Sequence, residues 1–255
     1  MLTLHDLWLV LAGLLAASVN AAAGGGTLLS FPSLLAAGLS PIAANVTSTL
    51  GLLPGYFGSL AGYRADLRLL RREAINTLVP SVIGGAIGAW LLLHLGGAFF
   101  ARIVPGLLIG AAILLLAQPF IARSLEHRKV SFDAPAVVFA GNFVVALYAG
   151  YFGAGAGILF LAAMGLLMKR ELGQVNAIKV VVSLLANLVA ALTFLIMEWR
   201  HPTGALVFRA ALPLAIGAMA GGYTGARIVR RLPPSALRGF AALIGLGIGA
   251  YFIFR

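Results

Sequence analysis

Cysteine is absent from this chain, which excludes disulfides, zinc–thiolate sites and iron–sulfur clusters. Acidic side chains are scarce. The seven are Asp6, Asp66, Glu73, Glu126, Asp133, Glu171 and Glu198, and all fall at or near the ends of apolar runs. A relay of buried carboxylates and a cation site built on carboxylates are therefore disfavoured. The four histidines, His5, His94, His127 and His201, form no i,i+4 pair of the kind that binds a metal on one helix face. No serine, histidine and acid can be assembled inside an apolar run, so an intramembrane enzyme lacks its catalytic set. Neither metal nor cofactor is expected. Charged residues make up 10% of the chain against 61% hydrophobic ones, too few for a soluble surface. The net charge of +11 is read as a set of helix-end topology signals, not as the footprint of a nucleic acid.

What is present is a succession of apolar runs long enough to cross a hydrocarbon core of ~30 Å. They fall at about 7–23, 42–62, 74–95, 100–121, 134–152, 173–197, 205–229 and 236–254. Two shorter runs, 26–39 and 157–168, follow the first and fifth. Breaks such as "RADLRLLRRE" (64–73) and "EWRHPT" (198–203) are short, and no soluble domain is inserted. No Lys or Arg precedes the first run, so it reads as a membrane helix and not as a signal peptide. The expected class is an all-α polytopic membrane protein.

The chain repeats itself. An offset of 131 carries Gly24 onto Gly155, Gly26 onto Gly157 and Asn45 onto Asn176; an offset of 137 carries "GGAIGA" (84–89) onto "GGYTGA" (221–226). The reading is one integral membrane domain of two repeats, 1–130 and 131–255, each with four long helices and one short broken or half helix. Topology then depends on the short runs. If they do not cross, eight spans divide the loop cations ten to seven. If they do cross, the halves are inverted (5+5). Thirteen cations (64, 68, 71, 72, 123, 128, 129, 169, 170, 227, 230, 231 and 238) then share one side, and Arg102, Arg200, Arg209 and Arg255 share the other. The inverted arrangement segregates charge better and is preferred. Its difficulty is that 12–14 residues span only about 18–21 Å as helix.

Three features are candidates for chemistry. The first is "AAAGGGTLLSFP" (21–32), with its counterpart "GAGAG" (153–157). Unpaired backbone inside lipid is tolerated only where protein covers it or a polar cavity adjoins it. Helices restarting after Gly24, Gly25 and Gly26, and after Gly153, Gly155 and Gly157, offer free N–H groups to an anion, with Thr27 and Ser30 as added hydroxyls. Tight helix packing is the alternative use of such glycines. The "GAGAG" stretch lacks the strand and the acidic residue of a dinucleotide fingerprint. The second feature is Lys179, the one basic residue well inside a span. It shares a helix face with Asn176, Ser183 and Asn187. Such a lysine is either functional or snorkels to the nearer surface. The third is the matching helix of the first half, which carries Asn45, Ser48, Leu52 and Tyr56 at the corresponding positions, with Thr47 and Thr49 nearby. The glycines at 84–88 and 216–227 are expected to pack helices, within a protomer or across a homodimer.

Together, "GGGTLLSFPSLLAAGLSPIAANVTS", "VPSVIGGAIGAWLLLHL", the repeated glycine break and "GGYTGARIVRRLPPSALRGFAALI" resemble the TauE/SafE family of sulfite exporters, also called the toluenesulfonate uptake permease group. The resemblance runs over nearly the whole chain. It implies a bacterial-type inner-membrane transporter of small sulfur-containing anions such as sulfite, sulfoacetate or related sulfonates. The family often keeps a proline after each glycine break; here Pro32 is present, but the matching position is Ala163. The resulting expectation is an alternating-access exporter. Uptake of an organic anion by proton symport and a non-transporting membrane scaffold are the alternatives.

Overall fold

A computed structural model describes residues 4–126, 134–168, 170–228 and 234–253. The boundary between the two expected repeats, at 130/131, lies outside the described residues. So do Arg128, Lys129, Lys169, Arg230, Arg231 and Arg255 of the charge count.

Every regular element among the described residues is a helix: α1 (Leu4–Ala23), α2 (Thr27–Ala36), α3 (Pro41–Gly62), α4 (Arg64–Leu69), α5 (Arg71–Asn76), α6 (Leu78–Glu126), α7 (Pro135–Tyr151), α8 (Ala156–Leu167), α9 (Leu172–Arg200), α10 (Phe208–Ile228) and α11 (Pro234–Ile253). Local chemistry explains several boundaries. Helix α3 begins with proline at its first position, where no N–H is needed, and the Ser40 hydroxyl caps it by accepting from the Ala43 amide. Helix α7 also starts on a proline. Helix α6 is two arms broken at Gly96, whose φ of 79° is left-handed. The stretch 64–73, read from sequence as a break between spans, carries α4 and the start of α5. The reason is visible in Leu70, which is buried at their junction while Arg64, Arg68, Arg71 and Arg72 stay exposed.

By length and composition, the stretches Arg71–Leu125 and Gly173–Arg200 are each apolar enough to cross a membrane, and shorter apolar helices accompany them. The outward faces carry large apolar side chains, among them Trp8, Leu11, Ile83, Ile113, Leu192, Ile196, Leu212 and Ile216. Several buried positions instead hold Asn, Ser, Thr and a lysine. Apolar outside and partly polar inside is the arrangement lipid selects.

Glycine sets the packing. Side-chain carbon on Gly13 would fall 2.1 Å from the Leu214 carbonyl, on Gly217 1.8 Å from that of Val10, and on Gly222 2.1 Å from that of Gly55. These backbones meet along α1, α3 and α10. The contacts advance in the same direction on all three: Thr47 with Val207, Gly51 with Leu214, Gly55 with Ala218 and Gly58 with Tyr223. The three helices therefore run parallel. The first arm of α6 relates likewise to α7, through Thr77 with Asn142, Gly84 with Phe143 and Gly88 with Tyr151. It relates likewise to α9, through Glu73 with Arg170 and Gly85 with Ala186. The glycines of 84–88 and 217–222 are thus taken up by contacts inside the chain.

Because α1 and α3 are parallel, the segment between them returns the chain. Gly26 lies against Ala16 and Asn20, and Ser30 against Ser48, so α2 descends between two ascending helices. Helix α8 runs with the second arm of α6, from Gly155 beside Ala111 to Gly165 beside Leu125, and so opposes α7 and α9. Helices α3 and α9 are mutually antiparallel, since Tyr63 at the end of α3 meets Asn176 at the start of α9. These directions gather Arg64, Arg68, Arg71, Arg72, Arg123 and Arg170 at one end, and Arg102, Arg200 and Arg209 at the other.

Candidate functional site

Helix α1 ends because Gly24 adopts φ +80°, and α8 starts at Gly155 with φ +73° after Gly153 at +79°. Within the two breaks, the amides of Gly25, Gly26 and Thr27, and those of Ala154, Gly155 and Gly157, show no backbone acceptor among the described residues. The breaks touch each other. A Cβ on Gly24 or on Gly157 would lie 2.6 Å from the other's Cα, closer than carbon atoms pack. Thr27 and Gly153 face one another across the same junction, the Thr27 Oγ1 lying 3.8 Å from a Cβ placed on Gly153.

Lys179 approaches this junction from α9. Its Cδ is 3.2 Å from a Cβ placed on Gly157, so its stem lies along the glycine. The side chain is 2% exposed and its Nζ has no hydrogen-bond partner. It does not snorkel to a surface, and no carboxylate among the described residues neutralises it. An ammonium in this position completes its shell only with something else, and the neighbouring groups are N–H donors that also want an acceptor.

The other expected residues fall into separate neighbourhoods. Asn45, on α3, donates from Nδ2 to the Tyr151 carbonyl at 2.9 Å and thereby holds the second break. Its Oδ1 is buried without a partner. Ser48 shares a 2.6 Å hydrogen bond with Ser30. The Thr49 hydroxyl is spent on the Asn45 carbonyl of its own helix. Asn176 donates to the Tyr63 hydroxyl at 2.7 Å. Ser183 is half-buried, and its carbonyl accepts from Asn187. Asn45 and Tyr63 are 18 residues apart on the chain, ~27 Å of helical rise, so Asn45 and Asn176 stand at well-separated depths. The structure brings together Gly24, Gly25, Gly26, Thr27, Gly153, Gly155, Gly157 and Lys179. It sets Asn45, Ser48 and Thr49 toward the end that carries few cations, and Asn176 toward the arginine-rich end.

Sequence reasoning missed several participants. Phe31, Phe100 and Phe152 form a buried edge-on cluster with centroids 5.4–6.3 Å apart, and Tyr151 joins through Phe100 at 5.8 Å. In an apolar sequence nothing marks these rings as a group. Tyr63 and Tyr151 stand at the ends of α3 and α7, a position that could have signalled them. Asn20 stands beside the buried Tyr56 hydroxyl; a lone asparagine in an apolar run was the available clue.

A helical bundle with an apolar exterior, two abutting helix breaks and a buried unpaired lysine defines the class as a membrane transporter. The chain belongs to the family described as "Sulfite exporter TauE/SafE", whose profile matches residues 9–252. It is similar to a "Probable membrane transporter protein" of Haemophilus influenzae, with 23% identity over 95% of this chain and 92% of the relative. It is also similar to the "Probable membrane transporter protein YfcA" of Escherichia coli K12, with 24% identity over 94% and 87%. The "Probable membrane transporter protein ORF9" of a Sinorhizobium species is 25% identical over 86% and 81%. No solved structure matches the chain. Family and relatives alike point to a membrane transporter and not to an enzyme.

Proposed function

We propose that the chain is a multi-pass inner-membrane exporter of small sulfur-containing anions, such as sulfite, sulfoacetate or a related sulfonate, working by alternating access. Its two halves are inverted repeats of five segments each. The parallel run of α1 with α3 and of α7 with α9 supports this, as does the gathering of cations at one end. The substrate's negative oxygens sit at the junction of the glycine breaks, against Lys179 Nζ and the free amides of both loops. The observation that carries the reading is Lys179 itself: buried, unpartnered, and laid along Gly157 where the two breaks meet. A cation inside a membrane protein without a carboxylate partner suits an anionic ligand. The ring cluster of Phe31, Phe100 and Phe152 closes the end that carries few cations.

An anion leaving a cell with a negative interior gains about 2.3 kcal/mol per charge per 100 mV, so export needs no carboxylate relay. The test is flux of sulfite, sulfoacetate and thiosulfate in liposomes holding the purified protein, with voltage and pH gradients imposed separately. Flux should follow voltage and collapse in Lys179→Ala. Flux that ignores voltage and follows a pH gradient indicates proton symport instead. Unchanged anion flux in Lys179→Ala removes the lysine from the site.

A further inference from the structure

A second site lies away from the lysine, at the arginine-rich end. A cavity of about 740 Å³ opens between the α5–α6 junction, α7 and the end of α8. Its apolar wall includes Val79, Val138, Phe139 and Leu167. Val79 and Phe139 also belong to the outward apolar surface, so this wall is continuous with the lipid-facing exterior. Its polar rim is different in kind. Glu73 and Arg170 form an ion pair there, and Asn142 stands in the wall. Asn142 is 0% exposed, and its Nδ2 is held by the Thr77 carbonyl at 3.0 Å and the Ser81 hydroxyl at 3.3 Å. A carbonyl acceptor fixes which way the amide faces, so Oδ1 is an acceptor, and it has no partner. A buried acceptor left unsatisfied destabilises the fold, and such groups call for an explanation.

We infer that this cavity binds a phospholipid with a primary ammonium headgroup, taken from the leaflet at the arginine-rich end. The ammonium donates to Asn142 Oδ1 and Glu73, the phosphate lies on Arg170, and an acyl chain follows Val79, Val138 and Phe139. The rim's charges are laid out as a zwitterion's complement, one carboxylate and one guanidinium side by side. An anionic headgroup without an ammonium answers Arg170 but brings Glu73 no counter-charge. A choline headgroup carries the same charges but has no N–H to donate.

That last contrast supplies the experiment. Intact protein is equilibrated with equimolar phosphatidylethanolamine, phosphatidylcholine and phosphatidylglycerol of identical chains, and retained lipid is counted by native mass spectrometry. The ethanolamine lipid should be retained about ten-fold over the choline lipid, the size of one charge-assisted hydrogen bond. Asn142→Leu, which leaves Glu73 as the ammonium's remaining acceptor, should reduce that preference several-fold. Val138→Trp, which fills the apolar wall and leaves the rim intact, should lower retention of the ethanolamine lipid; it keeps the test informative where the leucine variant fails to fold. Equal retention of the ethanolamine and choline lipids overturns the inference. So does preference for the glycerol lipid, or undiminished retention in Val138→Trp.

Discussion

Replacing Lys179 by methionine separates a functional lysine from a structural one by the signs of two measurements. Methionine has a similar length and volume, so the stem that lies along Gly157 is retained and no large cavity opens. What disappears is an amine 2% exposed with no hydrogen-bond partner. A charged amine at the centre of a bilayer costs ~2.5–3.5 kcal/mol, and an unsatisfied neutral one ~1–3 kcal/mol. Lys179→Met should therefore stabilise the ligand-free protein, by ~1–3 kcal/mol once relaxation around the site is allowed for. Anion flux should fall at least ten-fold, because the cation facing the substrate is lost. The assays are thermal unfolding in detergent without added anion and flux in liposomes at matched protein density. A variant that melts below wild type would refute the premise that the lysine is unpaired. One that is stabilised but transports at the wild-type rate would refute its role.

Four further outcomes follow from the same geometry. Gly157→Ala must push α8 from Gly24, a backbone neighbour that cannot swing aside, and should cost ~1–3 kcal/mol and most of the flux. Gly110→Ala, where nothing lies within 4 Å of the new carbon, should be neutral or favourable in the same melts. Asn45→Leu strips the donor from the Tyr151 carbonyl and should destabilise by ~1–3 kcal/mol, read as a lowered melting temperature. Glu73 is held below its ordinary carboxylate value by its backbone hydrogen bond and by Arg170. Its folded-state affinity for protons is thus lower than in the unfolded chain, so its contribution is present above the ordinary value of 4.5 and fades as pH falls through the depressed one. Melting temperatures across that acid window should fall less steeply in Glu73→Gln than in wild type.

The residues of the candidate site could be picked out of the chain because they are exceptions to an apolar background. Gly24–Gly26 and Gly153–Gly157 stand out as helix breakers, and Lys179 as a basic residue far from any run's end. Neither kind of signal says what touches what. That Gly24 meets Gly157 while Asn45 and Asn176 lie at different depths depends on how α3 and α9 cross, and a repeat offset aligns residues without bringing them together. The ring cluster was illegible for the opposite reason: Phe31, Phe100 and Phe152 match their surroundings in polarity and are distinguished only by packing. Asn142 was passed over as one asparagine in a run. Its meaning rests on a carbonyl 65 positions away that fixes its amide.

The glycine seams of α10 also bear on how the molecule is made. Helices α1 and α3 pack through bare backbone against a helix that ends at Ile228, near the far end of the chain. Until α10 is synthesised, that close-fitting surface has no counterpart. The first arm of α6 waits likewise for α7 and α9. Neither half of the chain is therefore a self-sufficient unit of assembly. The early helices must be threaded into the bilayer and kept there, unclasped, until α10 joins them, and a chain truncated before α10 is left without the seam that clasps α1 and α3.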